Sequence, residues 1–304
     1  MGEPRVGDDG TPEAALVGRS LGRRYRRRWA LRDCDFVIPT GAVCGLVGPN
    51  GSGKSTLLTL AAGLRQPSEG ELRVLGLRPG ADAELRERTA FVAQDKPLYP
   101  RLTVAETLRL GRELNPRWDQ RTAVGIVEQG RLPMDSRIGE LSGGQRTRVA
   151  LALALGKRAE LLLLDEPMSD LDPLARHQLM GTLMGEAAEH GTTVVISTHI
   201  LSELDGVADH LLLVDGGRVR LAGPTEEILD AHRLLRGAEG LPLDPGTIVE
   251  VRRTGRATTA LVRTNGPVAD GWQVETPSLD ELLLAYLRSP EAASLNTSRS
   301  EVAA

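Results

Sequence analysis

The run Gly48-Pro49-Asn50-Gly51-Ser52-Gly53-Lys54-Ser55-Thr56 constrains this chain more than any other feature. It follows a short apolar run, residues 43–47, that suits a buried parallel strand, and it precedes a segment, residues 56–64, that reads as a helix stopping near Gly63. Strand, glycine-rich loop and helix in that order are the context in which G-x-x-x-x-G-K-[ST] binds phosphate. The glycines let several backbone N–H groups point into one concavity, and the helix adds the positive end of its dipole. Lys54 supplies a charge for β- and γ-phosphates, and Ser55 offers a hydroxyl to Mg²⁺.

Further strands are expected at residues 15–17, 90–93, 161–164, 193–197 and 211–214. Helical patterns cover residues 104–114, 123–129 and 146–155. Strands alternating with helices imply an α/β sheet. The stretch 95–155 contributes helices without strands and reads as a helical subdomain. Composition shifts after about Leu235: Gly, Pro and Asp cluster at 237–246, and two alternating segments, 247–252 and 258–263, suit half-exposed strands. Ser278-Leu279-Asp280-Glu281 is a capping-box pattern opening a helix through Tyr286. The expected organisation is a disordered leader (1–13), a main domain (14–235), a small α+β C-terminal domain (236–289) and a flexible tail (290–304).

Bulk properties narrow the functional classes. The net charge of −4 over 304 residues argues against a dedicated nucleic-acid binder. Two cysteines, Cys34 and Cys44, are too few for a disulfide framework or a zinc site. No apolar run reaches the ~20 residues of a spanning helix. The expected location is cytoplasmic, with any membrane part supplied by a partner. Arg23-Arg24-Tyr25-Arg26-Arg27-Arg28 reads mainly as a solvated face.

A second element of the site is Leu161-Leu162-Leu163-Leu164-Asp165-Glu166-Pro167. An apolar strand here places two carboxylates at its carboxyl end, where α/β sheets bind ligands. Asp165 suits the Mg²⁺ shell, and Glu166 suits a base or orienter of attacking water. A third is Leu141-Ser142-Gly143-Gly144-Gln145, a capping box and an anion-binding helix start at once.

This last pentapeptide resembles the signature of the ATP-binding cassette superfamily. The resemblance implies a P-loop NTPase (RecA-like) core with a helical subdomain, ATP and Mg²⁺ as cofactors, and ATP hydrolysis. It implies a head-to-tail pair of subunits in which Ser142, Gly143, Gly144 and Gln145 of one grip the γ-phosphate held by the loop of the other. Gln94 looks like the Q-loop glutamine, implied to sense Mg²⁺ or the attacking water. His199 looks like the switch histidine, implied to contact the γ-phosphate. Tyr25 resembles the aromatic that stacks on adenine, and Asp172 the end of the D-loop, which runs across the subunit interface. His177, His190, His210 and His232 match nothing in the pattern. Met168 and Asp170 depart from it: smaller residues are usual at both places. Asp170 is expected to add like-charge strain at the paired interface and to loosen the ATP-bound dimer.

The family resemblance covers residues 15–235. Beyond it, Pro277-Ser278-Leu279-Asp280-Glu281-Leu282-Leu283-Leu284 is similar to the end of cassette subunits serving ABC-2 type exporters, including the daunorubicin-resistance type. The function so implied is energy coupling for separate transmembrane permease subunits, the expected docking region being residues 95–101, with export as the direction. The second ATP-binding subunit is either another copy or a paralogue. A soluble cassette ATPase acting on nucleic acid or ribosomes is the alternative, although such relatives generally carry a coiled-coil insertion or two cassettes in one chain. A non-hydrolysing regulatory module is a third reading, opposed by intact Lys54, Asp165, Glu166 and His199.

Overall fold

Apolar runs without period-two alternation, such as Leu161-Leu162-Leu163-Leu164, call for strands covered on both faces. The computed structural model describes residues 13–80, 82–200, 204–244, 248–255, 257–264 and 266–297. All but Glu13 of the expected leader lies outside these residues. In chain order the elements are β1 (Ala14–Tyr25), β2 (Arg28–Pro39), β3 (Val43–Val47), α1 (Lys54–Ala61), β4 (Glu69–Val74), α2 (Ala83–Arg88), β5 (Thr89–Val92), α3 (Val104–Leu114), α4 (Gln120–Gln129), α5 (Gly143–Gly156), β6 (Leu161–Asp165), α6 (Pro173–His190), β7 (Thr193–Thr198), β8 (His210–Asp215), β9 (Arg218–Pro224), α7 (Thr225–Asp230), β10 (His232–Ala238), β11 (Ile248–Thr254), β12 (Ala257–Arg263), β13 (Gln273–Glu275), α8 (Leu279–Arg288) and β14 (Leu295–Asn296).

The central sheet has seven strands in the order β14-β9-β8-β3-β7-β6-β5. Among the described residues only its β8–β9 pair is antiparallel. The four leucines of β6 divide between its faces. Leu161 and Leu163 join a core with Leu57, Leu58 and Leu60 of α1 and with Phe36 and Ile38 of β2. Leu162 and Leu164 join a second core with Val104 and Leu108 of α3, Val149 and Leu151 of α5, and Leu179 and Leu183 of α6. A separate antiparallel sheet, β2-β1-β4, closes over the first face. Because β3, β5, β6 and β7 run parallel, the loops after them emerge at one edge, the ligand-binding edge of such sheets.

The helical layer is anchored by local caps. Thr103 and Glu106 form a reciprocal capping box at α3, as Ser142 and Gln145 do at α5. Asp119 caps α4 and also pairs with Arg158, which reaches Glu186 on α6 as well.

The C-terminal part departs from the expected divisions in two ways. The boundary at 235/236 falls inside β10, which belongs to an antiparallel sheet of order β11-β12-β10-β13. This sheet is not insulated from the main core. Leu279, Leu282, Leu283 and Tyr286 of α8 pack with Leu211 and Leu213 of β8 and Leu221 of β9. The tail expected from residue 290 contains β14, which pairs in parallel with β9. Asn296 donates to the Asp35 carbonyl at 2.8 Å, and buried Arg220 donates to the carbonyls of Ser289 and Ala292. Backbone partners thus hold residues that composition alone reads as frayed.

Candidate active site

The loop between β3 and α1 takes the shape its glycines permit. Gly48, Gly51 and Gly53 have φ of 153°, 80° and 117°. At Gly53 a Cβ would come within 2.5 Å of the Ala30 carbonyl oxygen, so both conformation and space require glycine. A Cβ at Gly48 would overlap the Val214 carbonyl oxygen. The loop is therefore wedged between β2 and β8. Lys54 is buried and donates from Nζ to the carbonyls of Gly48 (2.7 Å) and Pro49 (3.1 Å). Burial lowers its pKa, and the charges of Glu166 and Asp165 oppose that shift. Among the described residues Ser52 Oγ is buried without a protein partner, an orphan polar atom inside the cradle. Ser55 is exposed and Thr56 half-buried at the start of α1, while Pro49 and Asn50 form the exposed rim. A cradle of backbone amides, a buried cation and an unpartnered hydroxyl fits a polyphosphate.

Three further strand ends converge beside it. Asp165, last in β6, is buried. Its Oδ1 accepts from Ser197 Oγ at 2.6 Å. Glu166 follows with φ +45°, a left-handed conformation that bulky residues seldom adopt and that strained sites hold through their surroundings. Here the surroundings are hydrogen bonds: the Glu166 amide donates to Ser197 Oγ at 2.9 Å. The Glu166 carboxylate then meets two other predicted residues. Gln94 Nε2 donates to its Oε2 at 3.3 Å, and His199 Nδ1 lies 3.2 Å from the same oxygen. A carboxylate ringed by a neutral amide and an imidazole, next to a buried carboxylate, can accept a proton from water while the neighbour serves a cation.

The other predicted residues lie apart from this cluster. Tyr25 ends β1 with an exposed ring, one face of which carries the Arg23 guanidinium at 4.7 Å. Ser142, Gly143, Gly144 and Gln145 open α5 through the capping box, with Ser142 Oγ accepting from the Gln145 amide. Asp172 caps α6 by accepting from the Ala175 amide at 2.9 Å, ahead of Pro173. Met168 is a core residue. Asp170, expected to add like-charge strain at the paired interface, has an opposite charge within its own chain: its carboxylate pairs with Lys96 Nζ at 2.7 Å.

Ser197 is the residue that sequence reasoning missed. It holds both carboxylate-bearing residues, yet in sequence it is only the polar end of an apolar strand. Its register opposite Asp165 in the β6–β7 ladder is the signal, and that register is spatial.

Parallel sheet, phosphate loop and paired carboxylates define a P-loop nucleotide triphosphatase. Comparison with known proteins narrows the class. The family model described as ABC transporter matches residues 31–169. The chain is 41% identical over 225 residues to an aliphatic sulfonates import ATP-binding protein, SsuB 2, of Pseudomonas aeruginosa (strain UCBPP-PA14), covering 71% of this chain and 80% of the relative. It is 38% identical over 260 residues to SsuB of Escherichia coli (strain K12), covering 84% and 96%. Among solved structures, an ATP-binding subunit of an ABC transporter superposes with a TM-score of 0.65 at 30% identity, covering 70% of this chain and 91% of that one. A dimeric post-hydrolysis ATP-binding cassette bound to ADP and Pi superposes with a TM-score of 0.62 at 26% identity, covering 69% and 98%. The chain belongs to the ABC transporter family, as an ATP-binding subunit that hydrolyses ATP.

Proposed function

We propose that this chain is the energy-coupling ATPase of a membrane transporter, working as a head-to-tail pair against separate permease subunits. The observation that carries the reading is the segment from Gln94 to Tyr99. Its first residue donates to Glu166. Its later residues, Lys96, Pro97, Leu98 and Tyr99, line a largely apolar groove of about 320 Å³ closed by Leu110 and Leu114 of α3 and Leu153 of α5. One short stretch of backbone thus touches the hydrolytic carboxylate and the rim of a docking groove. Tyr99 and Leu114 are 66% and 69% exposed there, the kind of apolar surface that marks a protein partner. Among the described residues no helix is long and apolar enough to cross a membrane, so the membrane subunits are separate chains in this reading. They hold it, peripherally, on the cytoplasmic face.

In this mechanism the amides of the 48–53 loop and Lys54 bind the phosphates of ATP, and Tyr25 supports the adenine on its free face. Ser55 and Asp165, with Gln94 nearby, are the residues for Mg²⁺. With so few protein ligands the ion would complete its shell with phosphate and water, as Mg²⁺ commonly does, and it would neutralise charge on the transferred phosphoryl group. Glu166 takes the proton of the attacking water. His199 and Gln94 orient that carboxylate. Ser142 to Gln145 of the second subunit close over the γ-phosphate, and the loop at Asp172 crosses the interface between the two. Hydrolysis removes the bridge and lets the pair open.

Glu166→Gln tests the core of this reading. The variant should bind ATP, form an ATP-dependent dimer and lose turnover by at least about a hundredfold. Rapid turnover in that variant would displace Glu166 from its role. Co-purification with a multi-helix membrane protein tests the transporter assignment, whereas nucleic-acid-stimulated ATPase without such a partner favours the soluble alternative.

Direction has two readings, each with its own support. The 277–284 segment, built as the cap and first turns of α8, supports export through its likeness to ABC-2 cassettes. The names of the curated relatives, sulfonate importers, support import of a small organic anion. ATP-driven uptake by inverted vesicles containing the permease supports export, and its absence alongside uptake by right-side-out vesicles supports import.

A further inference from the structure

The segment leaving β5 runs beside the segment leaving β6, and two side-chain contacts tie them like rungs. The first is Gln94 to Glu166 at 3.3 Å, already part of the site. The second is Lys96 to Asp170 at 2.7 Å, which no part of the mechanism above uses. Its two partners differ sharply in exposure: the Lys96 side chain is 3% exposed and the Asp170 side chain 48%. Lys96 also sits at φ +45°, as Glu166 does. Each rung therefore includes one left-handed residue, Glu166 in the first and Lys96 in the second, and each ends on the turn 166–171. That turn is held by the Ser169 amide on the Glu166 carbonyl (3.3 Å) and the Leu171 amide on the Met168 carbonyl (3.2 Å).

Asp170 stands against the start of α5. A Cβ placed on Gly143 would lie 3.1 Å from Asp170 Cβ and 3.3 Å from its Oδ2. One on Gly144 would lie 3.2 Å from the Asp170 carbonyl oxygen. Two glycines thus let this turn seat directly on the helix N-terminus that, in the paired reading, receives the γ-phosphate of the facing subunit. A free carboxylate there would repel the incoming phosphate at short range, where like charges are costly.

We propose that Lys96 is a positioning residue that neutralises Asp170 and holds its turn against the signature helix, so that ATP can bridge two subunits. The inference rests on the head-to-tail pairing proposed above. Lys96 acts on the second half of the site, the half contributed to the partner, and leaves ATP binding by its own phosphate loop untouched. Because Lys96 lines the apolar groove, the same side chain connects the surface assigned to the permease with the helix that closes on ATP.

The test is a double-mutant cycle on full-length chain in the Glu166→Gln background, reading ATP-dependent dimerisation by ultracentrifugation and monomer ATP binding by calorimetry. Lys96→Met removes the buried partner and leaves a half-exposed carboxylate that water can solvate, so the fold is retained. The variant should weaken dimerisation by about tenfold while monomer affinity for ATP stays within about twofold. Lys96→Arg should dimerise like the parent, and Lys96→Met with Asp170→Asn should recover most of the loss, because the carboxylate charge is gone. A purely structural pair would instead lower melting temperature, ATP binding and dimerisation together, and that result overturns the proposal. So does parental dimerisation in Lys96→Met. A parent that never pairs with ATP, alone or with its variants, overturns pairing between copies of this chain and this inference with it.

Discussion

Ser197 sets the geometry of both carboxylates through one hydroxyl. It donates to Asp165 and accepts from the Glu166 amide, so its loss would free Asp165 to rotate and remove a support for the left-handed backbone at Glu166. Ser197→Ala should lower kcat by about tenfold to a hundredfold, the usual effect of losing a group that orients a ligand to a metal. ATP binding by the phosphate loop should persist, which equilibrium binding against steady-state kinetics would separate. Equal losses in both would show that Ser197 supports the whole edge and not the hydrolytic geometry. Residues whose placement follows a local pattern were legible in the sequence: Lys54 and Ser55 where the glycine loop enters α1, Glu166 directly after β6, Ser142 in a capping box. Ser197 and Lys96 were not, because their meaning lies in partners 32 and 74 residues away.

Single elements were legible where one physical rule governed the whole run. The five-residue β3 and the eleven-residue α3 fall where apolar continuity and helical periodicity put them. β2 failed for a definite reason. Asp33 sits at φ +52° and shifts the inward set from Leu31 to Cys34, after which Phe36 and Ile38 resume alternation. A bulge breaks the period-two signal that marks a strand. β8 shows how an element can carry pH dependence. Its first residue, His210, is buried, and its Nε2 lies 3.0 Å from the Val37 carbonyl oxygen. Burial lowers its pKa to about 4. The unfolded chain binds a proton near pH 6.5 that the folded chain refuses until about pH 4, so neutral His210 contributes full stability above 6.5 and loses it as pH falls through that window. The loss amounts to roughly 3 kcal/mol at most. Urea unfolding between pH 7 and pH 4 should show this slope, and His210→Gln should flatten it. An unchanged slope in the variant would assign the dependence to other groups.

At the scale of the molecule, the phosphate edge and the groove meet through the 94–99 segment, while α8 and β14 brace the opposite flank of the sheet. In the proposed reading, transport requires that the groove be occupied by the permease, whereas hydrolysis without the permease does not. Charged substitutions at the groove rim should therefore separate the two. Tyr99→Glu with Leu114→Glu places two carboxylates at exposed apolar positions without removing a buried side chain, so folding and the Gln94–Glu166 contact should be retained. Loss of such anchors typically costs about 2 kcal/mol or more of association. The double variant should keep its basal ATPase rate within about twofold, while its retention on permease-containing membranes falls by at least about thirtyfold, the equivalent of that energy. Retention at the parental level would move the docking surface elsewhere. Loss of basal ATPase as well would show that the rim supports the Glu166 cluster directly, and the groove would then be part of the hydrolytic site instead of a separate surface coupled to it.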